Sequence, residues 1–240
     1  MSYKLSFNYS PNFNLRKRRP KDVKYIIIHY TGMRSDKESL ERLTDIKSSV
    51  SCHYYINEKG KIIVMVPDLY IAWHAGKSKW KKLKSLNKYS IGIEISNPGH
   101  EYGYKKFSYK QLFSLKRILR FLIERYQINL KNVLGHSDIA LTRKKDPGEK
   151  FPWKDLSKKK LCIWHTLNVN KLIKFRNKKI SLIKEKLFFK NLNKIGYDTS
   201  NIMKNRKYVI NAFHRRFRPE LINSTIDEES YLISKNLISL

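Results

Sequence analysis

The stretch VKYIIIHYTG, residues 23–32, decides the fold. Its unbroken run of β-branched and aromatic residues is typical of a strand that is buried on both faces. Such a strand lies inside a sheet rather than at its edge, and Gly32 marks its end. His29 is therefore predicted at the carboxyl end of a central strand.

The next segments predict a hairpin followed by a loop. Residues 51–68, SCHYYINEKGKIIVMVPD, indicate two strands joined around Glu58–Lys59–Gly60. Residues 69–80, LYIAWHAGKSKW, leave regular structure. We expect them to carry Trp73 and His74 into a surface loop.

A further strand is predicted where the sequence alternates strictly, in YSIGIEISNPG, residues 89–99. Three isoleucines share one face, and Gly92, Glu94 and Ser96 share the other. The small neighbours of Glu94 are expected to leave room for a substrate. Asn97–Pro98–Gly99 ends the strand.

Two helices are predicted from capping signals and periodicity. In residues 35–45, SDKESLERLTD, Ser35 precedes Glu38 by three positions, which is a capping-box pattern. Residues 107–128 show the same pattern, followed by an apolar stripe at helical spacing. The capping pair is Ser108 and Gln111, and the stripe is Leu112, Leu115, Ile118, Leu119, Leu122, Ile123 and Tyr126.

Beyond the lysine run at Lys158–Lys160 the sequence predicts about three short helices and few strands. Strands interleaved with helices before that point indicate an α/β or α+β fold with a mixed central sheet flanked by helices. We therefore predict a first domain at residues 1–165 and a small helical domain at residues 166–240.

The charge of the chain is extreme: 51 Lys and Arg against 20 Asp and Glu give a formal net charge of +31 over 240 residues. Such a charge attracts nucleic acid, anionic lipid or acidic cell-wall material, and it is equally consistent with a solvated lysine-rich surface. A nucleic-acid-binding protein is one alternative. However, no zinc-finger spacing, RNP-like aromatic signature or basic zipper is present.

The two cysteines, Cys52 and Cys162, are expected to be buried free thiols, since neither belongs to a CxxC pair. Residues 1–20, MSYKLSFNYSPNFNLRKRRP, lack the apolar region of a signal peptide. No apolar run reaches the length that spans a bilayer.

The candidate chemistry lies in GHSDIALTRKKDPGEKFPW, residues 135–153. Proline after Asp146 disfavours helical backbone there, so the carboxylate is held in a defined direction. With His136 and the strand-end His29 it would form a set of two imidazoles and one carboxylate. A zinc ion held by three such ligands keeps its fourth position for water, which is a catalytic arrangement.

Hydrolysis of an amide also needs a proton carrier and a positive charge near the developing oxyanion. Glu94 is the candidate for the first role and Lys144 for the second. Each residue also has an ordinary structural interpretation: a hydrogen-bonded histidine, an Asp-Pro-Gly turn, a surface carboxylate, and one lysine among many.

Five segments in this order resemble the zinc-dependent N-acetylmuramoyl-L-alanine amidases of type 2, the AmpD and AmiD group, and most closely the AmiD branch. They are IIIHYTG, SCHYYI, WHAG, SIGIEISNPG and GHSDIALTRKKDPGEKFPW. The resemblance covers nearly the whole chain. Residues 166–240 resemble the helical peptidoglycan-binding domain of the AmiD type, and a plain helical extension is the alternative.

By this resemblance one zinc ion is expected on His29, His136 and Asp146, with Glu94 as the catalytic carboxylate and Lys144 as the residue that stabilises the transition state. Four further positions match the substrate groove of the family. They are His53, Trp73, His74 and Asn97.

The implied function is hydrolysis of the amide between N-acetylmuramic acid, or its 1,6-anhydro form, and L-alanine in peptidoglycan or muropeptides. The alternative within the same fold is a non-catalytic peptidoglycan-binding protein. No nucleic-acid partner is expected, and the oligomeric state is left open. Relatives in the AmiD branch act in the cell envelope, whereas a cytoplasmic location is the alternative because no signal peptide is visible.

Overall fold

A six-stranded sheet lies at the centre of the computed structural model, which describes residues 5–240. Residues 1–4, which belong to the predicted 1–165 domain and to the amino-terminal segment, lie outside the described residues. The strands are β1 (Ser6–Phe7), β2 (Phe13–Asn14), β3 (Tyr25–Tyr30), β4 (Tyr54–Ile56), β5 (Ile62–Val64), β6 (Ile71–Ala72), β7 (Lys79–Trp80), β8 (Leu83–Lys84), β9 (Ser90–Ile95) and β10 (Val133–Gly135).

The main sheet has the strand order β1-β5-β4-β9-β3-β10. Its neighbours are parallel except for the predicted hairpin of β4 and β5, which is antiparallel. Two small antiparallel pairs, β2 with β6 and β7 with β8, lie outside it. The mixed central sheet of the prediction is confirmed, with β3 between two parallel partners.

Helices cover both faces of the sheet, as predicted. They are α1 (Asp36–Thr44), α2 (Tyr109–Tyr126), α3 (His136–Ile139), α4 (Trp153–Lys158), α5 (Val169–Leu172), α6 (Leu182–Ile195), α7 (Ile202–Phe217) and α8 (Glu228–Ile238). None of the described helices combines the length and the apolar composition that a bilayer crossing requires.

The capping signals act as predicted. Ser35 accepts a hydrogen bond from the backbone N–H of Glu38 at the start of α1. Ser108 and Gln111 cap α2 reciprocally, each side chain accepting from the backbone of the other. These bonds satisfy N–H groups that a helix start otherwise leaves without partners.

One face of the sheet, here called the α2 face, is apolar along its whole length. The isoleucines at alternate positions of β3 and β9 pack with α2 and with Trp153 in one buried cluster. The predicted stripe of α2 supplies the other side of this layer, because its buried positions recur every three or four residues. Phe151 and Trp153 are 3% exposed and anchor the end of the 135–153 stretch.

The opposite face, here called the module face, packs on residues 166–240, the helical module. Tyr25, Ile27 and Leu134 of the sheet share one buried cluster with Phe188 and Phe213 of the module. The module therefore shares a core with the sheet. The boundary between residues 165 and 166, and a separate role for the module, stay predictions. Cys52 and Cys162 are free and buried, as expected.

Candidate active site

Three side chains converge at the carboxyl edge of the sheet, on the module face. His29 Nδ1 lies 3.0 Å from His136 Nδ1 and 3.0 Å from Asp146 Oδ2, and His136 Nδ1 lies 3.1 Å from the same Oδ2. All three residues are buried, at 1%, 3% and 5% exposure. The structure thus brings together the three residues that were predicted as zinc ligands.

Strand pairing positions the two histidines. His29 is the fifth residue of β3, and β10 runs parallel beside β3 before entering α3 at His136. The carboxyl ends of parallel strands open at the same edge of a sheet, so residues that are remote in sequence meet there.

Backbone contacts hold Asp146 against α3. The N–H of Ser137 donates to the carbonyl of Asp146 at 2.8 Å. Gly135 lets the two segments approach, since a Cβ at this position would lie 2.7 Å from Cδ of Pro147. The predicted turn therefore delivers both His136 and Asp146 to one point.

A chain of hydrogen bonds fixes the proton on His29. Ser90 Oγ donates to the carbonyl of Leu86 at 2.7 Å, so it accepts from His74 Nε2 at 3.2 Å. His74 Nδ1 is then unprotonated and accepts from His29 Nε2 at 3.1 Å. His29 consequently presents a bare Nδ1 to the site.

His136 reaches the same state by a direct contact. Its Nε2 donates to the carbonyl of Ala75 at 3.2 Å, which leaves Nδ1 without a proton. Burial, followed by the proximity of His136, lowers the pKa of His29 to about 4.

These protonation states place two bare ring nitrogens and a carboxylate oxygen within 3.1 Å of one another. Lone pairs that converge without a shared proton repel each other unless a cation lies between them. Tetrahedral ligands about 2.0–2.1 Å from zinc would be about 3.3 Å apart, only a few tenths of an ångström more. The donor set and its spacing therefore fit a zinc ion.

Glu94 lies beside this cluster, paired with His29 in the register of β9 and β3. Its Oε2 is buried and has no hydrogen-bond partner among the described residues. Burial, and then the charge of Asp146, raise the pKa of Glu94 to about 8. A carboxylate with a raised pKa and a free oxygen is suited to receive and release a proton.

Lys144 is exposed on the loop that leads to Asp146 and lines the mouth of the site. Its charge offsets part of the rise in the pKa of Glu94 that burial causes, and it adds slightly to the lowering of the pKa of His29, so it lies within electrostatic reach of the cluster. The cleft above the cluster has a volume of about 120 Å³. Trp73 and His74 are among its lining residues, and their contact with a substrate stays a prediction.

The other two predicted groove positions, His53 and Asn97, are buried in this structure. His53 is fully buried, with Nδ1 accepting from the N–H of Gly92 at 2.9 Å. Asn97 is 1% exposed, and its amide binds the carbonyl of Lys105 at 2.8 Å. Both side chains thus hydrogen-bond the backbone around the site, and a part in substrate binding stays a prediction for them.

The space beside Glu94 that was predicted for a substrate is filled by a protein side chain. The prediction of a surface loop around His74 is also wrong. A Cβ on Gly92 would lie 2.4–2.7 Å from ring atoms of His74, so the glycine makes room for this imidazole and not for a substrate. His74 is 8% exposed and Ala75 is fully buried. Burial of this segment depends on β9, which the local sequence does not reveal.

Several contributors to the site were missed by sequence reasoning. The carbonyl of Ala75 and the hydroxyl of Ser90 act through hydrogen bonds, and neither residue type signals such a role. Asp138 follows His136 by two positions, and it accepts hydrogen bonds from the backbone of Gly135 and from two side chains of the helical module.

Known proteins with the same features were found by sequence and by structure. Residues 19–149, which contain the site, match the N-acetylmuramoyl-L-alanine amidase family. The chain is 35% identical to N-acetylmuramoyl-L-alanine amidase AmiD of Escherichia coli K12 over 90% of its length and 82% of AmiD.

Two solved structures extend the comparison. Escherichia coli AmiD in complex with anhydro-N-acetylmuramic acid-L-Ala-D-γ-Glu-L-Lys superposes with a TM-score of 0.80 at 33% identity, covering 91% of this chain and 89% of AmiD. AmpDh3 of Pseudomonas aeruginosa in complex with an anhydromuramic pentapeptide gives 0.78 at 27% identity, covering 94% and 95%. With the family match spanning the whole site, the chain belongs to the N-acetylmuramoyl-L-alanine amidase family.

Proposed function

We propose that this protein hydrolyses the amide bond between N-acetylmuramic acid, or its 1,6-anhydro form, and the L-alanine of peptidoglycan or muropeptides, with one zinc ion on His29, His136 and Asp146. The observation that carries the proposal is the convergence of three unprotonated donor atoms beside the unpartnered Oε2 of Glu94. The relatives with bound muropeptides support the same substrate class.

Zinc in this position would act as a Lewis acid on the scissile carbonyl and make water nucleophilic near neutral pH. Glu94 takes the proton of the attacking water on Oε2 and later delivers it to the leaving nitrogen of L-alanine. Lys144 lies at the cleft mouth and stabilises the negative charge that develops on the carbonyl oxygen. His74 keeps His29 in the required tautomer.

The cleft is suited to an anionic substrate. Arg42 and Lys144 line it, and stem peptides carry free carboxylates. Raising ionic strength is therefore expected to increase KM more than it decreases kcat, because capture depends on long-range attraction and the chemical step does not. A KM independent of ionic strength would contradict this role of the charge.

The decisive experiment combines metal analysis with digestion of muropeptides and sacculi, followed by mass spectrometry of the products. We expect about one zinc per chain and release of an L-alanine-terminated stem peptide. Glu94→Gln should retain zinc while losing about 10²–10⁴-fold in kcat. Wild-type protein that binds muropeptide without cleaving it would instead establish a non-catalytic binding protein, and full activity of Glu94→Gln would refute the role of Glu94.

Two further proposals concern location and the helical module. We place the enzyme in the cell envelope by its likeness to the AmiD branch, and cell fractionation tests this against the cytoplasmic alternative. We assign a contribution to peptidoglycan binding to residues 166–240. Co-sedimentation of the Glu94→Gln protein with intact sacculi, with and without charge-reversing changes on exposed lysines of α6, tests that assignment.

A further inference from the structure

Asp138 connects the metal site to the helical module. It lies on α3, two residues after His136, and is 1% exposed. Its Oδ2 accepts from the backbone N–H of Gly135 at 2.8 Å, directly before His136. The carboxylate therefore braces the turn from which the ligand side chain projects.

Among residues 5–240, the other two hydrogen-bond partners of this carboxylate come from the module. Arg216 of α7 donates from Nη1 to Oδ2 at 2.6 Å, and the hydroxyl of Tyr197 donates to Oδ1 at 2.8 Å. Arg216 also donates from Nη2 to the carbonyl of Val133 at 2.9 Å. One guanidinium thus joins the first residue of β10 to α3, across the β10–α3 junction.

The surroundings of Arg216 restrict its geometry further. Its guanidinium carbon lies 4.2 Å from the ring centroid of Trp153, and the residue is 2% exposed. A buried arginine that stacks on a ring and donates to two different acceptors has little freedom, because moving it would leave a charge and two hydrogen-bond donors without partners. Because Arg216 is fixed, its hydrogen bond also restrains Asp138 and the helix α3 that carries it.

We propose that Arg216 and Tyr197 are positioning residues of the metal site: the helical module holds His136 in place through Asp138. The inference rests on the proposed function only in taking His136 as a zinc ligand. Partners beyond the first ligands typically change metal affinity by 10–100-fold when removed. The module therefore contributes to the metal site itself, in addition to any contact it makes with the cell wall.

The test is the zinc dissociation constant of the full chain, measured by competition with a fluorescent chelator. Arg216→Met should weaken zinc binding about tenfold, Tyr197→Phe about threefold, and Arg216→Lys less than Arg216→Met because it keeps the charge beside Asp138. At limiting zinc kcat should fall with KM unchanged, and saturating zinc should restore kcat.

The matched control is Arg218→Met. Arg218 is 1% exposed and pairs with Asp227 and Glu229 inside the module, away from Asp138. It should lower the melting temperature comparably while leaving zinc affinity within about twofold of wild type. Equal losses of affinity in Arg216→Met and Arg218→Met, or no loss in either, would overturn the inference.

Tyr197→Phe keeps the test decisive if Arg216→Met does not fold, because it removes one oxygen atom only. Unchanged zinc affinity in that variant would then overturn the inference. If wild-type protein binds zinc but cleaves no muropeptide, the proposed hydrolase activity fails while the affinity comparison still decides the positioning role.

Discussion

The two faces of the central sheet are built from the same strands but carry different chemistry. On the α2 face, β3 and β9 present five fully buried isoleucines, followed by the half-buried Tyr30 at the carboxyl end of β3. On the module face the alternate positions begin with Tyr25 and Ile27 and end with His29 on β3 and Glu94 on β9. The two-residue period of a strand thus lets one face stabilise the fold while the carboxyl end of the other holds the site.

The largest expected effects come from one substitution at the metal site and one on the α2 face, which together test whether the two faces have separate roles. His136→Ala should abolish zinc binding and reduce activity by about 10³-fold or more, with little change in the fold. Leu119→Ala, at a fully buried position of α2, should lower the free energy of unfolding by about 2–5 kcal/mol while the folded fraction retains its zinc and kcat.

Metal analysis, urea denaturation and muropeptide digestion measure these changes. Loss of zinc in Leu119→Ala at a temperature where the protein stays folded would break the comparison, since the α2 face would then also control the site.

A smaller effect on zinc binding is expected from a substitution at Gly92 of β9, on the module face. The neighbouring Ile91 points to the α2 face and supplies the control. Gly92→Ala places a methyl group against the ring of His74 and should weaken zinc binding about tenfold, because His74 orients His29. The control Ile91→Val trims the α2 face and should cost only about 0.5–1.5 kcal/mol of stability, with zinc affinity unchanged. Chelator competition distinguishes them, and equal zinc affinities for both variants would contradict the role of His74.

The smallest effect concerns pH in the metal-free protein. Folding raises the pKa of Glu94 from 4.5 to about 8, so its contribution to stability is complete below its unfolded pKa and is lost as the pH rises through 8. Glu94→Gln removes this dependence. Relative to wild type it should gain about 1 kcal/mol between pH 5 and pH 8, less than the full shift because Glu94 is partly exposed.

Urea denaturation of both proteins with chelator present, at the two pH values, checks this difference. A constant difference in stability between the proteins across that range would show that Glu94 does not titrate as described.

Sequence reasoning performed best where the signal was local. The capping pair and apolar stripe of α2 repeat at intervals that a helix imposes on any chain, so residues 109–126 were predictable as a helix packed on the sheet. The hairpin of β4 and β5 was also predictable, because its two strands and its turn are neighbours in the sequence. Prediction from sequence failed at His74. The sequence around this residue resembles a loop, and the residue becomes buried only because β9 leaves space at Gly92.

By itself, the sequence determined which residues could bind a metal and where strands and helices begin, because residue chemistry and periodicity are properties of neighbouring positions. Only the tertiary structure decided that the bare nitrogens of His29 and His136 meet the carboxylate of Asp146, and that Arg216 braces the turn behind them. The contacts that His29 and Arg216 make in this cluster join segments more than seventy residues apart. Their geometry follows from parallel strand pairing and a shared core, and neither property belongs to any single stretch of the chain.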